Sequence, residues 1–417
     1  MTAWPQVQLI DVAFFQEGPG LRNWQWAEDG IKVINGRNVL VDGQINLSNT
    51  DKFVSWEEFH SKYKHFQIQA NDIVVTSSGT LGKVGRIRPE HLPLMMNTSV
   101  IRFRPNDCSV LSDGFLFAYL RSSLFQEKVT AYAIGAAQSN FGPSHLKLFS
   151  MPLPPIGVQR RIAGILSAYD ELIENNQRRI KILELMARAI YREWFVHFRF
   201  PGHESAPRVP SPLGEIPQGW EVRQVQQIAG LVSRGPSLTY VDSDGIQVVN
   251  QRCIRNGELE MQAVQYATPL SENKAHLYLK PHDVLINSMG VGTLGRVSRN
   301  LTVDEPTIIH NCITVVRAKP DEPTTAYLYY LLSDSQEHFE SLGIGATGQT
   351  SLRIETIEDL QLACPPRQIL ESFEEAVLPM WSQIGYLKRE SQILRRTRDL
   401  LLPRLLSGEL DVEASAA

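Results

Sequence analysis

The side chains best suited to chemistry sit in two Gly-rich runs, Ser77-Ser78-Gly79-Thr80-Leu81-Gly82-Lys83 and the segment from Ser288 to Arg296. Each follows a short apolar stretch and ends in a cation. The first reads GxxGK, whereas a nucleotide phosphate loop needs GxxxxGK followed by Ser or Thr to hold magnesium. The spacing argues against a nucleotide site. Two readings remain: a turn whose amides and hydroxyls meet an extended anion such as a DNA phosphate, or a plain hairpin turn. Other familiar centres are missing. None of the ten His residues falls in HExxH or another metal-ligand spacing. The sequence has no GxSxG elbow and no Gly-rich dinucleotide fingerprint after a strand. No Asn/Asp-Pro-Pro-aromatic motif of an amino-methyltransferase occurs. Cys108, Cys253, Cys312 and Cys364 show no CxxC spacing and read as reduced thiols. The chain offers binding groups rather than a catalytic centre.

Those groups come in pairs. Residues 29–39 read DGIKVINGRNV and residues 244–254 read DGIQVVNQRCI, at an offset of 215. DIVVTSSGTLGKVGRI from Asp72 resembles DVLINSMGVGTLGRVS from Asp283, with two extra residues in the second copy. Gly18-Pro19 pairs with Gly235-Pro236, and Pro154-Pro155 with Pro365-Pro366. A period this long excludes a solenoid and means two whole domains of one fold. Candidate DNA contacts are the polar residues that recur. Asn35 and Arg37 pair with Asn250 and Arg252, types that read adenine and guanine edges in a bidentate way. Ser77, Thr80, Ser288 and Thr293 lie in the Gly-rich runs. Lys83 and Arg86 pair with Arg296 and Arg299, and Gln138 and Ser139 with Gln349 and Thr350. Each is equally readable as a structural surface residue, because recurrence also follows from a shared fold.

The elements that must position these residues are short strands and two long helices. Residues 31–34, 72–76 and 99–103 and their copies are β-branched and bounded by Gly, Pro or Asn, which predicts strands. Residues 115–129 and 325–342 predict helices. Residues 201–219 contain five Pro and read as a linker. Ile162, Leu166, Tyr169, Ile173, Asn176, Ile180, Leu183, Ala187, Ile190 and Trp194 recur at +4 and +3, a heptad seam. The helix carrying it would be about 55 Å long at about 1.5 Å per residue. Phe373, Val377, Met380, Ile384, Leu387 and Leu394 form a second seam, with a kink or break expected at Pro379 and an end at Pro403. Two such helices most simply pair, antiparallel if the halves are related by a pseudo-twofold axis. The aromatic cluster Tyr191, Trp194, Phe195, Phe198 and Phe200 either closes the packing or faces a partner protein. The fold class is α+β: two similar mixed α/β domains, an internal repeat, separated by two long coiled-coil-like helices.

Bulk composition limits the function. The 417 residues carry 41 Lys and Arg against 45 Asp and Glu, a net charge of −4, which excludes a uniformly basic coat. Charge is unevenly placed: +1 over residues 1–159, +3 over 160–199, −9 over 200–387 and +4 over 388–404. Any DNA contact by the second half must come from a local cluster. No run of about 18 apolar residues occurs, so no membrane span is expected. No signal peptide is visible either, and a cytoplasmic protein is expected.

The segment PLPPIGVQRRIAGILSAYDELIENNQRRIKILELMARAIYREWFVHF from Pro152, RDLLLPRLLSGELD from Arg398, and the ten residues from Ser211 to Trp220 together resemble the specificity subunits of type I restriction–modification systems. The resemblance covers nearly the whole chain. It implies two target-recognition domains, residues 1–155 and 201–366, spaced by helices at 156–200 and 367–408, with a tail at 409–417. Each domain would read one half of a bipartite site in double-stranded DNA. The chain itself would hold no cofactor and perform no catalysis. Two modification subunits would methylate adenine N6 with S-adenosylmethionine, and restriction subunits would use ATP and Mg. A standalone DNA-binding regulatory or structural protein on the same scaffold is the alternative.

Overall fold

The computed structural model describes residues 4–410 and 412, apart from 49, 134–139, 256, 302, 304 and 343–350. It divides into two compact units, Met1–Ile173 with Ile393–Ala417, and Glu174–Gln392. Both divisions cut through a long helix, so each unit holds one sheet-bearing domain and a part of each helix.

In the first unit a four-stranded antiparallel sheet orders Ala13–Glu17, Val100–Pro105, Ile73–Thr76 and Val84–Arg86. A second sheet orders Phe53–Val54, Ile31–Ile34, Leu94–Met96 and Gln67–Ile68, with its two central strands parallel. The other unit repeats the plan. Its antiparallel sheet orders Ala229–Arg234, Ile313–Ala318, Val284–Asn287 and Val297–Arg299. Ile246–Val249 and Thr307–Ile309 supply the parallel pair, but here Thr307–Ile309 is an edge strand. Helices Asp113–Arg121 and Thr325–Asp334 pack on the antiparallel sheets and complete the apolar cores.

Two repeated sequence signals have structural causes. The Asp that opens each apolar stretch is buried under a forked Arg. Arg104 grips Asp72, with Nη2 2.8 Å from Oδ2, and Arg317 grips Asp283 with two bonds of 2.7 Å. Each Asp also accepts a backbone N–H at 2.7 Å, from Gln69 and Lys280. Gly18 and Gly235 recur because a Cβ there would lie 2.2 and 2.0 Å from the carbonyl oxygens of Asn97 and Ile309.

The first long helix runs Ile156–Tyr191, followed by a wider turn over Arg192–Val196 that carries Trp194. The second runs Arg367–Leu406 without interruption. Pro379 therefore does not break it. It sits on the exposed face, where water can take up the carbonyl that loses its N–H partner. Pro403 does not end it either, since the last turn continues to Leu406. In the first unit Ile162 and Leu166 share a core with Leu402, Leu405 and Leu406, and Asp170 binds Arg398 at 2.5 Å. In the second unit Asn176 Nδ2 donates to Glu390 Oε2 at 2.7 Å, while Ala187 shares a core with Phe373, Val377, Trp381 and Ile384. Rising numbers on one helix meet falling numbers on the other, so within each unit the helices run antiparallel.

The seam positions are turned inward. Ile162, Leu166, Ile173, Asn176, Phe373, Ile384 and Leu387 are buried, and Tyr169, Ile180, Leu183, Ile190, Trp194, Met380 and Leu394 are half-buried. The second seam shifts by one residue: Trp381 is fully buried where Met380 was expected. The aromatic cluster closes packing inside the second unit. Phe195 lies 4.7 Å from Tyr327 and 4.8 Å from Phe373, ring centre to ring centre. Residues 201–219 are more than a linker. Arg208–Ser211 pairs with Gly214–Pro217 as a two-stranded ribbon, whose free edges tolerate Pro, and Ile216 enters the core.

Asp283→Ala removes the carboxylate and leaves the largely covered Arg317 guanidinium without its counter-ion. We expect the second unit to lose about 3–5 kcal/mol, read as a lowered denaturant midpoint for probes in that unit, with hydrogen-exchange protection of the first unit unchanged.

Candidate nucleic-acid interface

The turn after strand Ile31–Ile34 is built by its own Asn residues. Asn35 Oδ1 accepts the Arg37 N–H at 2.9 Å, and Asn38 Oδ1 accepts the Asn35 N–H at 2.9 Å. This side-chain-to-backbone geometry is an Asx turn. It leaves Arg37 exposed, with no ion pair among the described residues. The Gly-rich turn after Ile73–Thr76 lies beside it. Thr76 Oγ1 donates to the Thr80 carbonyl at 2.6 Å, and Gly79 and Gly82 take positive φ of 74° and 75°. Lys83 ties the two turns together, its Nζ donating to the Gly36 carbonyl at 2.6 Å. Partial burial lowers the pKa of its ammonium.

Between the turns lies a cavity of about 480 Å³. Asn35, Arg37, Thr80 and Lys83 line it, together with Trp26 and Lys52. Among the described residues it gathers three cations and no carboxylate. Lys52 Nζ sits 5.1 Å from the Trp26 ring centre, a cation–π contact that holds it at the rim. Repeat matching could not find Trp26 or Lys52, because neither lies in a block that recurs in the second half.

The second unit uses the same devices. Asn250 Oδ1 accepts the Arg252 N–H at 2.9 Å and leaves Arg252 exposed, without an ion pair among the described residues. Arg296 takes the place of Lys83. Its guanidinium donates to the carbonyls of Gly292 at 2.8 Å and Ile254 at 3.4 Å, so it too joins the two turns. The two extra residues seen in the sequence are Val291-Gly292 at the tip of the Gly-rich turn. The adjoining cavity is larger, about 1120 Å³. Arg252, Arg296 and Thr293 line it, and so do Arg255, Arg188 of the first long helix and Arg192 of the wider turn that follows it. Of the four acids in its wall, three are engaged: Glu184 with Arg299, Asp334 with Arg188 and Glu258 with Lys388. A unit rich in acid thus brings five of its guanidinium groups to one cavity.

Several sequence candidates lie elsewhere. Ser77 and Ser288 are buried, their hydroxyls spent on the Thr98 carbonyl at 2.9 Å and on Thr314 Oγ1 at 2.6 Å. Asn250 is buried too, its amide donating to the Ala263 carbonyl at 2.8 Å. These three shape the turns and present nothing to a ligand. Arg86 does not line the cavity. It packs on the Phe117 ring at 4.8 Å and donates to the Asp113 carbonyl. Its counterpart Arg299 is buried against Glu184. Gln138, Ser139, Gln349 and Thr350 lie outside the described residues.

The arrangement is two copies of one cation-lined double turn, each on its own sheet scaffold, with no helix among the described residues long and apolar enough to cross a membrane. The sequence model for the type I restriction modification DNA specificity domain matches residues 3–185 and again 217–373. Among curated relatives, the type I restriction enzyme MjaIX specificity subunit of Methanocaldococcus jannaschii is 26% identical over 352 residues, 82% of this chain and 78% of the relative. The MjaVIII specificity subunit of the same organism is 22% identical over 96% of both chains. The HindI specificity subunit of Haemophilus influenzae is 23% identical over 76% of this chain and 81% of the relative. The crystal structure of a type I restriction–modification S subunit from M. genitalium superposes with a TM-score of 0.58, covering 97% of this chain and 96% of that one at 16% identity, a likeness of fold. With two copies of the specificity domain in its sequence and the matching double scaffold in its structure, this chain belongs to the type I restriction–modification DNA specificity family, the non-catalytic specificity subunits of those enzymes.

Proposed function

We propose that each domain, residues 1–155 and 201–366, presents its double turn to one half of a bipartite site in double-stranded DNA. The observation that carries this reading is the first cavity, which collects Arg37, Lys52 and Lys83 without a carboxylate in a chain whose net charge is −4. Such a local field attracts phosphate, and phosphate contact supplies most sequence-independent affinity. Arg37 and Arg252 are the base readers: exposed, without an ion pair among the described residues, and held on Asx turns that fix their direction. A guanidinium suits the O6 and N7 acceptors of guanine. Thr80, Lys83, Thr293 and Arg296 then meet the backbone and set the register.

The two long helices, residues 156–200 and 367–408, set the number of unread base pairs between the half-sites. They also dock two modification subunits, which hold S-adenosylmethionine and methylate adenine N6. A base inside a duplex must leave the stack for that chemistry, so base flipping belongs to those subunits. Restriction subunits add ATP- and Mg-dependent translocation and cleavage. The site of action is the cytoplasm, where the DNA is.

Methylome sequencing of the reconstituted system tests the reading. The wild-type chain is expected to give one bipartite motif. Arg37→Ala should relax a single base pair in one half, by about 1–3 kcal/mol, and Arg252→Ala a base pair in the other half. Neither should change thermal stability by more than about 0.5 kcal/mol, since both side chains are exposed and unpaired. A single substitution that altered both halves equally would overturn one domain per half-site.

Lys52→Ala should behave differently. It is expected to weaken binding to all sequences alike and to reduce the slope of log K against log salt by about 0.9. Titrations of labelled duplex between low and high salt would show this, and an unchanged slope would remove Lys52 from the phosphate contacts.

A further inference from the structure

In the second unit a guanidinium joins the recognition domain to both long helices. Arg299 ends strand Val297–Arg299, three residues after Arg296 of the candidate interface. Its side chain is 2% exposed. Nη2 donates to Glu184 Oε1 on the first helix at 2.6 Å. Its Cζ lies over two rings, 4.3 Å from the Tyr329 ring centre and 4.3 Å from the Trp381 ring centre. Tyr329 belongs to the domain's own helix and Trp381 to the second long helix, where it is fully buried and donates its indole N–H to Tyr330 Oη at 3.1 Å. Arg299, itself on the sheet edge, therefore touches three elements at once: the domain's own helix, the first long helix and the second. Gly385 completes the junction, since a Cβ there would come within 3.1 Å of the Leu301 carbonyl oxygen.

The energetics of this group point to geometry rather than stability. Nε and Nη1 of Arg299 are buried without a hydrogen-bond partner among the described residues. Unsatisfied donors and a desolvated charge make such a pair a poor source of net stability, and apolar residues of similar size commonly do as well or better. What a forked, planar cation adds is direction: one bond fixes its azimuth and two ring faces fix its plane. Its repeat counterpart Arg86 has no such role. Arg86 keeps about a third of its side chain exposed, contacts one ring, and feels Asp170 of the first long helix only through its charge, without a hydrogen bond or ion pair to either long helix among the described residues. The first unit uses other residues for its junction, with Asp170 of the first helix bound by Arg121 of the domain at 2.6 Å and by Arg398 of the second helix.

We propose that Arg299, with Glu184, Tyr329 and Trp381, is a positioning residue that locks the second recognition domain onto its helix segments and thereby makes the complex selective for one spacer length between half-sites. The inference rests on the proposed reading of two half-sites. Arg299 contacts no DNA in this account. It acts by keeping Arg252 and Arg296 at a fixed place along the helix axis.

The test is selection from a duplex library with both half-sites fixed and the spacer varied base pair by base pair, using the full-length chain in its modification complex. The wild type should choose one length. Arg299→Met keeps the bulk but loses the bond and the charge, and Glu184→Gln is a gentler variant should the first fold poorly. Both are expected to keep the two half-site sequences but to bind spacers one base pair longer or shorter with at least a fivefold loss of discrimination. Arg299→Lys, which keeps the charge without the plane, should be intermediate. Folded variants with wild-type spacer selectivity would overturn the lock. Loss of base selectivity in the second half at an unchanged spacer would also overturn it, by making Arg299 a support of the reading turn. A wild type that selects no bipartite sequence at all would instead refute the two-half-site reading itself.

Discussion

An amphipathic helix must bury its apolar stripe, and each long helix of this chain buries it against the other and against the domain it serves. Everything else depends on that packing. In the first unit the stripe continues from the sheet core through Ile162 and Leu166 to Leu402 and Leu406. In the second it runs from Ala187 and Tyr191 through Phe373, Val377 and Trp381 into the other domain's core. Because the seam and the domain core are one apolar cluster in each unit, a domain cannot turn on its helix segment without opening that core. Polar groups on the seam add register. Asn176 has a partner only where Glu390 lies opposite, and a buried amide on a heptad seam disfavours sliding.

Electrostatics adds the second constraint. A chain with more acid than base can hold a polyanion only where its cations are gathered and its carboxylates are absent or spent. The first domain achieves this by exclusion, since no acid lines its cavity among the described residues. In the second unit, whose residues 200–387 carry −9, three of the four acids in the cavity wall are paired, with Arg188, Arg299 and Lys388. The two solutions differ, and so do the turns themselves, with Val291-Gly292 inserted in one of them. Two copies of one scaffold can therefore read two different half-sites.

Much of this was legible in the sequence. The repeat gave the two domains, and the +3/+4 spacing gave the helices because it reports directly on the buried face. Repetition also marked the two turns. What it could not separate was a residue that builds a turn from one that is presented by it. Asn250 and Arg252 recur together, yet one is buried and the other exposed. Trp26 and Lys52 escaped because they have no copy. Pro379 misled because a helix-breaking residue is harmless on a solvated face once the opposite face is packed. The ribbon at 208–217 escaped because its Pro content resembles that of a linker.

The central claim is that the paired helices act as a ruler between two independent readers. Removing one heptad from each long helix, around Asn176 and its partner Glu390, tests it most directly. Seven residues correspond to about 10 Å of helix, or about three base pairs at 3.4 Å each. The account predicts a methylome in which both half-site sequences are unchanged and the spacer is shorter by about that amount. A folded, active variant that kept the original spacer, or that altered the half-site bases instead, would contradict it.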